Sequence, residues 1–115
     1  MSVVPPVDDA GPAGDRAGDR AGDRAGYREF TSRREGMIHA MDGGLWLHRH
    51  VWKGRPMAHL VSTDRARLVA WGTGAGLAEA RLQFKPLKDP RTGERRDAWH
   101  WDLGGPYLPP RPRVL

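Results

Sequence analysis

The sequence predicts a small single domain of the α/β (α+β) class, with a short β-hairpin or sheet, one main helix at about residues 65–75 and a proline-rich C-terminal tail. Apolar and polar side chains alternate over residues 45–53, which is the period of a half-buried strand. Three consecutive capping residues precede a segment with apolar side chains at helical spacing. Four prolines among residues 104–115 disfavour further regular structure there.

The first 36 residues are predicted to be a disordered, low-complexity extension. Residues 13–24 are the tetrapeptide Ala-Gly-Asp-Arg three times in succession. The repeats have no apolar side chain larger than alanine to bury, and their charges cancel. The burial of apolar surface therefore cannot offset the conformational entropy lost on ordering. Met37 opens the first apolar-patterned stretch, and we therefore interpret residues 37–115 as the globular domain. On this interpretation Met37 is a candidate start codon, and residues 1–36 would be a gene-model artefact.

A β-hairpin is predicted for residues 45–61. The alternation assigns opposite faces to the side chains of the first strand. Leu45, Leu47 and Val51 share one face, and Trp46, His48, His50 and Trp52 share the other. Lys53-Gly54-Arg55-Pro56 is predicted to be a turn, because glycine accepts a positive φ and proline presets its own. Residues 57–61 then form the second strand.

The main helix is predicted to begin after Ser62-Thr63-Asp64, whose side chains suit an N-cap. Gly76 suits the left-handed residue that ends a helix, and Leu77 can fold back onto the last turn. We expect a weak helix, because two internal glycines each cost about 1 kcal/mol relative to alanine. Its buried face is predicted to hold Leu68, Trp71, Gly72 and Ala75.

The C-terminal third is predicted to contain a polar turn region at residues 88–96 and a short strand at residues 99–103. On that strand Trp99 and Trp101 face the core, and His100 and Asp102 share the opposite face. Residues 104–115 are predicted to be an extended, irregular tail.

Composition excludes several kinds of site. The chain has no cysteine, which excludes disulfides, thiolate metal sites and thiol nucleophiles. Its apolar runs are far shorter than the roughly 20 residues that span a bilayer, so we expect a cytoplasmic protein with no membrane partner. The glycines of residues 72–76 lack the Lys-Ser or Lys-Thr of a phosphate loop. Neither a Gly-x-Ser-x-Gly elbow nor a His-Glu-x-x-His pair occurs.

Positive charge is concentrated in residues 37–115, which hold 13 lysines and arginines against seven acidic residues. Ten of the 13 are arginines, which suit phosphate or carboxylate groups through bidentate hydrogen bonds. Our leading hypothesis is therefore binding of nucleic acid, another polyanion or a phosphorylated ligand. The predicted contacts are Arg49, Lys53, Arg55, Arg65, Arg67, Arg95 and Arg96, with Trp46 and Trp52 as rings on which bases stack beside His48 and His50.

Blocks of sequence between residues 37 and 103 resemble domain of unknown function family 4031, a family of small bacterial proteins. The blocks are Met37 to Asp42, Trp52 to Arg55, Ala58 to Asp64, Leu68 to Leu77, Leu82-Gln83 and His100 to Leu103. The most specific are the His59-Leu60-Val61-Ser62 block and the closing His100-Trp101-Asp102-Leu103. The resemblance implies a small α/β fold and a domain that starts at Met37, and it implies no activity.

A second hypothesis is a metal-dependent hydrolase or phosphodiesterase whose candidate catalytic residues are Asp42, His59, His100 and Asp102. On a strand, His100 and Asp102 point to the same face and can bind one metal. With His59 they offer nitrogen and oxygen ligands to a divalent cation, whose bound water would be the nucleophile. His48 and His50 also have a metal-binding spacing, but no third ligand for them is evident.

Each candidate site also has a structural alternative. His59 and Asp102 can form hydrogen bonds that stabilise the fold, and the tryptophans can pack in the core. A third functional hypothesis is a non-catalytic protein-interaction module, in which Pro106 to Pro112 is the ligand of a partner's aromatic groove.

Overall fold

The computed structural model describes residues 26–111, and within that range it contains two α-helices and six strands. In chain order these are α1 (Arg33–Met41), β1 (Trp46–Trp52), β2 (Arg55–Ser62), α2 (Arg65–Ala75), β3 (Gln83–Phe84), β4 (Leu87–Lys88), β5 (Arg95–Arg96) and β6 (Trp99–Gly104). Short 3₁₀ helices at Glu79–Arg81 and Gly105–Tyr107 follow α2 and β6. The predicted α+β class is confirmed.

Four strands form one antiparallel sheet in the order β1-β2-β6-β3, and β4 and β5 form a separate two-stranded hairpin. β2 is central, because it pairs with β1 on one side and with β6 on the other. The turn between β1 and β2 consists of Lys53 and Gly54 alone, with φ angles of 50° and 77°. Two positive φ values are those of a type I′ turn, whose twist matches a hairpin. Arg55 and Pro56, predicted as turn residues, therefore belong to β2.

The main core lies between α2 and one face of the sheet, where Leu47, Leu60, Trp101 and Leu103 are buried. The Trp101 indole Nε1 donates a hydrogen bond of 2.8 Å to the carbonyl of Leu68. A Cβ atom on Gly72 would lie 2.2 Å from the Trp101 ring. The glycine that weakens α2 is thus what allows the helix to approach the sheet.

The predicted ends of α2 are confirmed. The Asp64 side chain accepts a hydrogen bond of 3.1 Å from the backbone N–H of Arg67. Gly76 has a φ of 87°, and the Leu77 N–H donates to the carbonyl of Gly72. Leu68 and Gly72 are buried and Trp71 packs against the core, as predicted, whereas Ala75 is exposed at the end of the helix.

The fold includes residues upstream of the domain boundary predicted at Met37, and that boundary falls inside α1. Tyr27 is buried in the main core. The backbone of Arg28 pairs with β1: its N–H donates to the Leu45 carbonyl, and its carbonyl accepts from the Leu47 N–H. Helix α1 begins at Arg33 after an N-cap at Ser32. The Ala-Gly-Asp-Arg repeats lie outside the described residues.

Helix α1 covers part of the second sheet face, where Ala40, Trp46 and Val61 form a smaller buried cluster. A Cβ atom on Gly36 would lie 2.1 Å from the Trp46 ring, so the helix contacts the sheet through this glycine. The part of this face that α1 does not cover carries His48, His59, His100 and Asp102. No helix among the described residues has the length and apolar character needed to cross a membrane.

The C-terminal segment departs from the irregular tail predicted to begin at residue 104. β6 extends to Gly104, the next three residues form a 3₁₀ helix, and Leu108 packs against the main core. The carbonyls of Pro109 and Pro110 accept hydrogen bonds from the Arg49 guanidinium. Residues 112–115 lie outside the described residues.

Candidate metal centre

Three of the four predicted catalytic side chains meet on the sheet face that α1 leaves open. His59 on β2 is paired with Asp102 on β6, and His100 lies two residues before Asp102 on the same strand. Because side chains alternate along a strand, all three point to one face. We call His59, His100 and Asp102 the ligand triad.

Asp102 links the triad through its carboxylate. His59 Nε2 lies 2.9 Å from Asp102 Oδ1, and His100 Nε2 lies 3.2 Å from the same oxygen. Gln83 on β3 donates a hydrogen bond of 2.6 Å from its Nε2 to the second oxygen, Oδ2. One carboxylate oxygen therefore faces two imidazole nitrogens, while the other is held by an amide.

Both histidines of the triad are neutral at pH 7. Burial, reinforced by the nearby His100, lowers the pKa of His59 to about 4. Burial also lowers the pKa of His100, although the Asp102 carboxylate opposes this change. The contact of His100 with Asp102 is therefore a hydrogen bond from a neutral imidazole rather than an ion pair. A neutral imidazole is the form that binds a metal ion.

The triad has the geometry of a partial metal shell. One ligand atom from each of its residues can be chosen so that all three lie within 4.8 Å of one another. Two imidazole nitrogens and one carboxylate oxygen suit Zn²⁺ and similar divalent ions. A cation at this position would displace the proton of the hydrogen bond between His100 and Asp102.

The triad lies in a cleft of about 340 Å³ between α1 and the β3–β4 segment. We call it the histidine cleft. Arg33 and Met37 line it from the α1 side. Phe84, Lys85 and Leu87 line it from the opposite side. The candidate ligands thus face a space large enough for a small molecule.

A row of rings continues from the triad across the sheet. Ring centroids are 4.8 Å apart for His59 and His100, 4.4 Å for His50 and His59, and 5.0 Å for Trp46 and His48. His48, paired with His59 across the strands, also lines the histidine cleft. Burial, and secondarily the Arg33 charge, lower the pKa of His48.

Asp42, the fourth predicted catalytic residue, lies away from the triad. It follows the C-terminus of α1, and its Oδ1 accepts a hydrogen bond of 2.9 Å from Arg91 Nη2. Arg91 also binds Asp89, which is buried in the turn between β4 and β5. Asp42 therefore attaches this turn to α1, and the predicted four-residue site reduces to three residues.

The predicted nucleic-acid contacts are divided among separate elements. Lys53 and Arg55 are at the β1–β2 turn, Arg65 and Arg67 are in the first turn of α2, and Arg95 and Arg96 form β5. Arg65 pairs with Glu79, and Arg67 donates to the Gly43 carbonyl. The Arg49 side chain is only 11% exposed, because it binds Glu29 and two carbonyls.

The two tryptophans predicted to form a stacking surface have different environments. Trp46 is 3% exposed beneath α1, whereas Trp52 is 56% exposed at the end of the hairpin. The Lys53 ammonium lies 4.6 Å from the Trp52 ring centroid. Trp46 therefore takes the alternative, core-packing role, and Trp52 remains the exposed ring.

Three further residues line the cleft and are not among the predicted site residues: Gln83, Arg33 and Lys85. Gln83 and Lys85 belong to segments too short for a periodic pattern, since β3 has only two residues. Arg33 falls within the segment assigned to the N-terminal extension. A scan against protein-family models and searches of curated proteins and solved structures found no match to this chain. The resemblance to family 4031 thus stays a prediction.

Proposed function

We propose that the protein is a metal-dependent hydrolase that holds a Zn²⁺-like divalent cation at His59, His100 and Asp102. The observation that carries this proposal is the convergence of these three side chains on one oxygen, Asp102 Oδ1, inside the histidine cleft. This hypothesis takes precedence over polymer binding, because the predicted basic contacts are dispersed and Arg49 is engaged inside the fold.

The number of ligands favours catalysis over a structural metal. Structural zinc sites have four protein ligands, whereas catalytic sites have three and leave a position for water or substrate. The triad supplies three ligands and faces the cleft. Such a cation would lower the pKa of a bound water to about 7 and thus supply a nucleophile.

His48 is the candidate general base. It is on the same face as His59, directly across the strand pair, and it lines the cleft. Its lowered pKa keeps the imidazole neutral at pH 7, so it can accept a proton. In the proposed reaction a water molecule transfers one proton to His48 and adds to an ester, the bond to the leaving oxygen breaks, and that oxygen receives the proton.

Metal binding is the first test. The full-length protein, freed of metal with a chelator, is expected to bind one Co²⁺ per chain with a visible absorption spectrum, and Zn²⁺ should displace it. Asp102→Asn removes the anionic ligand, and we expect the affinity to fall by about a hundredfold or more. Gln83→Leu leaves the ligands in place but frees Oδ2, so we expect a loss of about tenfold.

Asp97→Asn is the matched control, since Asp97 is an exposed carboxylate outside the histidine cleft. Its Co²⁺ affinity should equal that of the wild type. Equal Co²⁺ affinity for Asp102→Asn and the wild type would refute the site, provided circular dichroism shows both proteins folded.

The second test concerns His48. The Zn²⁺-loaded protein is expected to hydrolyse activated p-nitrophenyl carboxylate or phosphate esters, and His48→Gln should lower kcat by about a hundredfold. Because the neutral form is the base and its pKa lies below the usual 6.5, activity should persist at pH 6.5 and fall at more acidic pH. An unchanged Co²⁺ spectrum in His48→Gln would separate proton transfer from metal binding. If His48→Gln retains full kcat, His48 is not the base.

A further inference from the structure

We infer that the histidine cleft selects a small phosphate ester whose organic part is apolar. This inference rests on the proposed function, because it names the substrate class of the same site. It concerns the cations and the apolar wall of the cleft rather than the ligand triad.

Two cations line the cleft from opposite sides. Arg33 is the first residue of α1, and its guanidinium lies 5.9 Å from the ring centroid of Trp46. Lys85 follows β3, its backbone N–H donates a hydrogen bond of 2.8 Å to the Ala98 carbonyl, and the residue lines the cleft. Both side chains are exposed, so they can turn toward a ligand without breaking the core.

The lining has more positive than negative charge. Asp102 is the one acidic side chain among the described residues that form the cleft. Its charge would be offset by a bound divalent cation, which leaves Arg33 and Lys85 facing the substrate. Arginine, lysine and a divalent cation together suit the two negative charges of a phosphate monoester better than the single charge of a carboxylate.

An apolar wall adjoins the two cations. Met37 and Leu87 line the cleft, whereas the centroid of the Phe84 ring lies 5.5 Å from that of the Trp99 ring, with which Phe84 is paired across the strands. The side chains of Met37 and Leu87 offer contact area to a small apolar group. The volume of about 340 Å³ is near the lower end of the range for small-molecule sites. We therefore assign the cleft to a small ester rather than a nucleic acid chain.

Phenyl phosphate is the probe, and its affinity is to be measured by calorimetry with the full-length protein, both metal-free and Zn²⁺-loaded. We expect Arg33→Gln and Lys85→Gln each to weaken binding by about tenfold. Leu87→Ala should reduce the preference for phenyl phosphate over inorganic phosphate by about fivefold. Arg34→Gln and Lys88→Gln are matched controls, because these exposed cations lie outside the cleft, and they should bind like the wild type.

The outcomes separate this inference from the proposed hydrolase. If Zn²⁺ binds at the triad but Arg33→Gln and Lys85→Gln bind phenyl phosphate like the wild type, the substrate class is overturned and the metal site stands. If no metal binds but both variants lose affinity, the anion site stands without the hydrolase. Tighter binding of benzoate than of phenyl phosphate by the wild type would also overturn the inference.

Discussion

A chain that begins at Met37 is expected to be unfolded at 25 °C. It lacks Tyr27, which is buried in the main core, and the backbone of Arg28, which pairs with β1. It also lacks the Ser32 N-cap and the first four residues of α1. Loss of one buried aromatic side chain alone costs about 3–5 kcal/mol, and the net stability of a domain is about 5–15 kcal/mol.

Circular dichroism melts of three chains test this expectation. A chain that begins at Gly26 is the matched control, because it retains every residue that the structure describes at the N-terminus. It should melt within a few degrees of the full chain, since the Ala-Gly-Asp-Arg repeats have no large side chain to bury. A cooperative melt of the Met37 chain near that of the full chain would show that residues 26–36 are dispensable for folding.

Arg49→Ala is expected to lower the free energy of unfolding by about 3 kcal/mol. The guanidinium donates to both Glu29 carboxylate oxygens, at 2.9 and 3.1 Å, and to the carbonyls of Pro109 and Pro110, at 2.7 and 3.0 Å. Removal of the largely buried cation leaves these acceptors without their donor, and hydrogen bonds to charged groups contribute about 1.5–3 kcal/mol each. The melting temperature should fall by more than about 10 °C.

Arg55→Ala serves as the control for Arg49→Ala. Arg55 is an exposed arginine on the same hairpin, so its removal should change the free energy of unfolding by less than about 0.5 kcal/mol. A double-mutant cycle with Glu29→Gln measures the coupling between Arg49 and Glu29. Equal stabilities of Arg49→Ala and Arg55→Ala in urea would mean that the contacts of Arg49 contribute nothing to the fold.

The contacts of Arg49 also affect how the net positive charge of the domain is interpreted. Composition identifies thirteen basic residues downstream of Met37 but does not say which of them carry intramolecular contacts. In the structure Arg49 binds Glu29, Arg65 binds Glu79 and Arg91 binds Asp42 and Asp89. Arg33 and Lys85, by contrast, line the cleft. The net charge of a domain is thus a weaker guide to function than the position of its individual cations.

Sequence analysis was most successful where the structure is set by neighbouring residues. The hairpin follows from the strand-period alternation of residues 45–53 and a glycine turn, although Val51, grouped with Leu45 and Leu47, is 72% exposed. Helix α2 follows from Asp64 at its start and Gly76 at its end. Helix α1 was not predicted, because its first four residues were assigned to the N-terminal extension and two of its buried positions are the small residues Gly36 and Ala40. A small residue is favourable there only because the Trp46 ring occupies the space beside it.

The candidate site was predicted in part. The two-residue spacing of His100 and Asp102 determines that they share a strand face, whatever the rest of the fold. Their meeting with His59 depends on the register between β2 and β6, and a shift of one residue would put His59 on the core side. Asp42 was grouped with them on residue type alone, and its hydrogen bonds to Arg91 show why that criterion fails.

By itself, the sequence determined the local features: the alternating strands, the capped helix, the absence of thiol chemistry and the common face of His100 and Asp102. Only the tertiary structure showed that residues 27–36 belong to the fold, that Arg49 binds Glu29, and that Arg33, Gln83 and Lys85 surround the triad. The physical reason is the range of the interactions. Alternation, capping and turn preference act over a few residues, whereas strand register, packing against Trp46 and the cleft join segments far apart in the chain.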